Sequence, residues 1–130
     1  MVARNRILVV DDEPTVRESC RRIFGERGYH VETAASGQEG MDRAMREYFD
    51  CALIDLKMPD LDGMDIVRNV RESRSAMAVV IITGYGTLET ASEATRLGVA
   101  DYIQKPFTPR RGNWSTSRLP VTLILGKNDA

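Results

Sequence analysis

Asp11, Asp12 and Glu13 stand in a row directly after the apolar run 7–10, and other reactive residues stand in the same relation to other runs. Asp55 follows the run 51–54, Thr83 follows 79–82, and Lys105 with Pro106 comes just after 102–103. Taken singly, most of these have ordinary explanations. Asp12, two residues before Pro14, reads first as a helix N-cap and only second as a metal ligand. Asp55 can simply end a strand, Thr83 can bond backbone, and Lys105 can be a solvated charge. Asp11 has no such explanation, and the joint placement changes the weighting. Two or three carboxylates gathered within about 4 to 6 Å repel one another and stay ionised together only beside a cation. An incomplete set of oxygen ligands suits magnesium, which keeps several waters and shares its remaining positions with a phosphate. The chemistry implied is phosphoryl chemistry.

Such a cluster requires elements that bring four chain segments to one place. The five runs 7–10, 31–34, 51–54, 79–82 and 102–103 recur at intervals of roughly 20 to 28 residues, as strands do when they alternate with helices. The third and fourth are apolar throughout, the mark of central parallel strands covered on both faces. Between them, Val16, Cys20, Ile23 and Phe24 form one helical stripe, and Met41, Ala44, Met45 and Tyr48 form another. A third helix should follow Asp62 and bury Ile66, Val67 and Val70; a fourth should follow Thr87 with Ala91, Ala94 and Leu97 inward. Pro14 suits a first helical turn, Ser36 and Glu39 have capping-box spacing, and Gly28 and Gly98 suit left-handed helix ends. The fold expected is α/β: a doubly wound, flavodoxin-like three-layer sandwich on a five-stranded parallel sheet of order 2-1-3-4-5. In such sheets ligands bind beyond the carboxyl ends of the strands, where the reactive residues fall.

These residues and their surroundings, ILVVDDEP, ALIDLKMPDLDG, VVIITGYGT and DYIQKPF, resemble the receiver domains of two-component response regulators over residues 5–107. The stretch Thr83-Gly84-Tyr85-Gly86-Thr87 looks most like receivers of enhancer-binding, NtrC-like transcription activators. The resemblance implies that Asp55 is the nucleophile and phosphoacceptor. It implies magnesium held by Asp11, Asp12, Asp55 and the backbone carbonyl of Lys57, with Lys105 and Thr83 on the phosphoryl oxygens. The donor would be a histidine kinase or phosphotransfer protein, and the chain would catalyse only its own aspartyl phosphorylation and dephosphorylation. Thr83 and Tyr102 would form the conformational switch, Lys57 and Tyr85 would tune the rates, and Pro106 would follow Lys105 in a cis or an ordinary trans bond. A phosphoryl group adds about 1.5 to 2 negative charges, enough to draw the Thr83 hydroxyl and its loop inward.

The chain departs from that pattern after residue 107. Where a fifth amphipathic helix belongs, 108–120 reads TPRRGNWSTSRLP, rich in breakers, and 121–125 is a short apolar segment. The expected organisation is therefore a receiver over 1–107 and an atypical tail or truncated linker over 108–130, the fifth helix missing or replaced. The segment 121–125 would then fold back over the apolar face left open or exchange with a neighbouring chain, and an effector domain or a homodimer is the partner expected besides the kinase.

Composition narrows the partners. Eighteen Lys and Arg against nineteen Asp and Glu give no excess positive charge for direct nucleic-acid binding. No apolar run approaches the length of a membrane span, and no secretory signal is evident, so a cytoplasmic address is expected. His30 has no second ligand in view, and Cys20 and Cys51 have no metal-ligand or CxxC spacing. Three other readings remain. A haloacid-dehalogenase-type phosphatase needs an aspartate two residues after the nucleophile, where this chain has Lys57. A flavin carrier needs a Ser/Thr/Gly-rich phosphate loop after the first strand, where this chain has Asp11-Asp12-Glu13. A receiver-like interaction scaffold that is never phosphorylated keeps the fold but leaves the acidic cluster and Lys105 without a purpose.

Overall fold

The computed structural model describes residues 5–105. Strands and helices alternate along the chain: β1 (Arg6–Val10), α1 (Pro14–Glu26), β2 (His30–Ala34), α2 (Gly37–Arg46), β3 (Cys51–Ile54), α3 (Gly63–Ser73), β4 (Ala78–Thr83), α4 (Leu88–Leu97) and β5 (Asp101–Gln104). All strand pairs are parallel, as the alternation of apolar runs predicts, and the order is β2-β1-β3-β4-β5, the one expected of the flavodoxin-like fold class. Pro106, the tail 108–130 and the question of a fifth helix lie outside the described residues.

Side-chain alternation along the central strands builds a core on each face of the sheet. Ile7, Val9, Cys51, Leu53, Val80 and Ile82 point to one side, where Cys20 and Phe24 of α1 meet them. Leu8, Val10, Ala52, Ile54, Val79 and Ile81 point to the other, against Ala44 of α2, Ile66, Val67 and Val70 of α3, and Ala94 of α4. Both thiols belong to these cores, and burial pushes each above its ordinary pKa.

The helix ends follow mostly local rules, with three differences from the sequence expectation. Glu13, not Asp12, holds the N-cap position of α1, with Pro14 at the first helical residue. The Ser36 hydroxyl accepts from the Glu39 N–H, but the Glu39 carboxylate turns to the N–H of Ala35 rather than Ser36, so the box is not reciprocal. Tyr48 leaves the α2 stripe because the helix ends at Arg46; it is exposed, and Phe49 fills the core place instead. Thr87 and Thr90 form a reciprocal capping box at α4, and Gly98 ends that helix in the left-handed region at φ 78°. Gly28, just past α1, has φ 92°.

Candidate functional site

Strand register brings the acidic residues together. Val10 and Ile54 are paired across β1 and β3, so the residues that follow them, Asp11 and Asp55, leave the sheet side by side. The Asp55 N–H donates to the carbonyl of Val10 at 2.9 Å, and the Asp11 N–H donates to that of Ala34. On the other side Thr83 pairs with Gln104, which sets Lys105 at the same end of the sheet; its N–H donates to the Thr83 carbonyl at 2.8 Å. One ligand oxygen from each of Asp11, Asp12 and Asp55 lies within 4.8 Å of the others.

The electrostatics show a cluster with too little positive charge. Asp11 and Asp55 are 2% and 4% exposed. Burial, and then the neighbouring Asp11 charge, push the Asp55 carboxyl from 3.8 up to about 6. Burial also raises Asp11, against the lowering effects of the Glu13 N–H and of Lys105. The Lys105 ammonium is the local counterion, 3.1 Å from Asp11 and 3.8 Å from Asp55. Burial would depress Lys105, but its bond to Glu13 and the Asp11 charge outweigh that and raise it. An oxygen-only group of three carboxylates, two of them buried beside one ammonium, fits a hard divalent cation, whose charge would complete the balance.

Asp55 itself is loosely held. One carboxylate oxygen accepts from the Lys57 N–H at 3.4 Å and the other faces Lys105. Lys57 is fixed by an antiparallel bridge to Asp62, and the Gly63 N–H donates to the Leu56 carbonyl. Here glycine is required: a Cβ on Gly63 would stand 2.2 Å from the Asp55 carbonyl oxygen. The cleft above, of about 790 Å³, is lined among others by Asp12, Asp55, Lys57, Pro59, Tyr85 and Lys105.

The response regulator receiver domain family matches residues 7–113. This chain belongs to that family. It is 36% identical over 107 residues to Regulatory protein AtoC of Escherichia coli K12, covering 82% of this chain but only 23% of AtoC. A CheY-like receiver domain protein from Methanospirillum hungatei superposes with a TM-score of 0.82 at 33% identity, covering 98% of this chain and 95% of that one. The response regulator TrrA from Thermotoga maritima, solved in complex with Mg2+ and BeF, superposes with a TM-score of 0.71 at 28% identity, covering 82% and 91%. The chain is thus a receiver domain of the two-component type; it spans about a quarter of the length of AtoC and of the related regulators PilR and AlgB.

Within the receiver frame, the remaining expected residues take distinct places. Thr83 is fully buried and its hydroxyl accepts from the Tyr85 N–H at 3.0 Å, while Gly84 and Tyr85 line the cleft. Tyr102 is half-buried, and its hydroxyl meets the Thr90 hydroxyl at 2.8 Å. A Cβ on Gly86 would come 2.5 Å from that Tyr102 oxygen, so a larger residue in the loop before α4 would displace the end of the tyrosine side chain. The Lys57 ammonium sits 5.3 Å from the centre of the Tyr85 ring, a cation–π contact across the cleft. His30 pairs with Glu32 at 2.6 Å, away from the cluster. Three roles were not read from sequence. Glu13 binds Lys105, Thr90 engages Tyr102, and the Asp60 carboxylate accepts from the N–H groups of Gly37 and Gln38 at the start of α2. No helix among the described residues is long and apolar enough to cross a membrane.

Proposed function

We propose that this receiver accepts a phosphoryl group on Asp55 from a histidine kinase or phosphotransfer protein and returns to its resting state by hydrolysis. The observation that carries the reading is the convergence of Asp11, Asp12 and Asp55 within 4.8 Å beside the Lys105 ammonium, at the switch point between β1 and β3. Asp11, Asp12, Asp55 and the Lys57 backbone carbonyl would hold magnesium, which supplies positive charge to the transferring phosphoryl oxygens. The Mg2+ and BeF bound by the related TrrA support that assignment.

The steps assigned to the chain's own residues are few, because phosphoryl transfer needs positioning and charge stabilisation more than covalent help. Asp55 is ionised near neutral pH even without the metal, and the carboxylate is the form that attacks. Its oxygen forms a bond to phosphorus as the bond from phosphorus to the donor imidazole nitrogen breaks, the electron pair leaving with nitrogen. Lys105 turns its ammonium to the phosphoryl oxygens, and Thr83 exchanges its bond with the Tyr85 N–H for one donated to the phosphoryl group. That exchange would move the loop between β4 and α4, and with it Gly86, Tyr102 and Thr90. Cytoplasmic placement, an attached effector and a receiver boundary near residue 107 complete the proposal.

Incubation with acetyl phosphate and magnesium tests it without a kinase. The expected result is a hydroxylamine-labile acyl phosphate, absent when the metal is chelated. A folded chain that stays unmodified supports the interaction-scaffold reading instead.

A further inference from the structure

Glu13 occupies the N-cap position of α1, yet its side chain makes no capping bond. Glutamate is not among the residues that cap well, and here the carboxylate is used elsewhere. It reaches a residue 92 positions away in sequence, accepting from the Lys105 ammonium at 2.8 Å. This is the shortest of that ammonium's three carboxylate contacts, ahead of Asp11 at 3.1 Å and Asp55 at 3.8 Å. The starting point of the side chain is fixed. The Glu13 N–H donates to an Asp11 carboxylate oxygen at 2.9 Å, and the Glu13 carbonyl accepts from the N–H groups of Val16 and Arg17. The Glu13 side chain is 56% exposed at the mouth of the cleft, whereas that of Lys105 is 15% exposed.

We infer that Glu13 is a positioning residue for Lys105, holding its ammonium on the β1 side of the cleft until a phosphoryl donor arrives. The inference rests on the phosphoacceptor reading of Asp55. An incoming phosphoryl group needs the same ammonium, so the contact with Glu13 must lengthen as the contact with phosphoryl oxygen forms. With acetyl phosphate, the Asp55 oxygen bonds to phosphorus while the bond from phosphorus to the acetate oxygen breaks, its electron pair leaving on acetate. The competition precedes that exchange and is relieved equally in the bound donor complex and the transition state. It therefore weakens donor binding without slowing the bound complex.

The test measures phosphorylation rate against acetyl phosphate concentration at saturating magnesium. Wild type, Glu13→Gln, Glu13→Asp, Lys105→Met and the double variant Glu13→Gln/Lys105→Met are compared. Glu13→Gln should lower the half-saturating concentration roughly two- to fivefold, the scale of a partly exposed ion pair, and leave the maximal rate unchanged. Glu13→Asp keeps the charge, caps the helix better and reaches less far, so it should also lower the half-saturating concentration. In the Lys105→Met background, Glu13→Gln should change nothing. An equal shift with and without Lys105, or Glu13→Asp behaving as wild type, would mean that the carboxylate merely repels the donor, and overturns the inference. So does an unchanged half-saturation in Glu13→Gln while wild type is phosphorylated normally. Absence of phosphorylation in wild type refutes the phosphoacceptor reading itself, and the positioning role with it.

Discussion

Near neutral pH Asp55 carries a negative charge in a place that disfavours one, with 4% of its surface exposed and Asp11 beside it. Its pKa of about 6 in the folded protein against 3.8 in an open chain sets the sign of a stability effect. Between those values the folded state binds the extra proton, so the stability tied to this group declines as pH rises and is fully lost above about 6. Removing the charge should therefore help the metal-free protein. Asp55→Asn is expected to raise unfolding stability by about 1 to 3 kcal/mol at pH 7.5, and by progressively less as pH falls towards 4. Denaturant titrations of both proteins in chelator, at pH 7.5 and pH 5, check this. An equal gain at both pH values would contradict it. At this scale Asp11, Asp55 and Lys105 were legible because each directly follows a strand-forming run. The role of Glu13 was not, because its partner is 92 residues away and only the folded sheet makes them neighbours.

At the scale of elements, the loop from β3 to α3 carries the site, and its path depends on close backbone approach. The Gly63 Cα faces the Asp55 carbonyl so closely that a Cβ would lie 2.2 Å from it. Gly63→Ala should therefore cost about 1 to 3 kcal/mol through overpacking against main chain that cannot turn aside, read as a lowered denaturant midpoint. A midpoint equal to wild type would show that this backbone yields freely. The same loop supplies Asp60, which caps α2 from 22 and 23 residues away, a tertiary cap with no local sequence signature. Apolar periodicity predicted α3 well because Ile66, Val67 and Val70 are buried together, whereas in the α4 stripe only Ala94 is buried, Leu97 packs at the core's edge and Ala91 stays half-buried. It overextended α2 because Tyr48 continues the stripe by spacing alone, while the helix stops at Arg46 and Phe49 turns inward from a non-helical backbone.

For the whole molecule, the sheet order decides the chemistry, since only with β1 beside β3 do Asp11 and Asp55 become neighbours. The parallel, doubly covered sheet was legible from the purely apolar central strands, and the order came with the doubly wound, flavodoxin-like fold class they point to. The pairing of Tyr102 with Thr90 was not, because a threonine at the third position of a capping box reads as local helix chemistry. A cation that binds the folded cluster and not the open chain must stabilise the fold by mass action, about 2.7 kcal/mol at a hundred times the dissociation constant. Magnesium should thus raise the thermal midpoint of wild type with the logarithm of its concentration once that exceeds the dissociation constant, and raise that of Asp11→Asn much less. Identical midpoint shifts in the two proteins would remove the cluster as the binding site.

The central claim is that Asp55 carries the phosphoryl group, and trapping it in place tests this most directly. The chain is treated with acetyl phosphate and magnesium, reduced with borohydride so that an aspartyl phosphate becomes homoserine, and mapped by peptide mass. The account predicts homoserine at position 55 in wild type and no converted residue in Asp55→Asn or in chelator. Conversion at another aspartate in wild type, or none in protein shown to be folded, would contradict it.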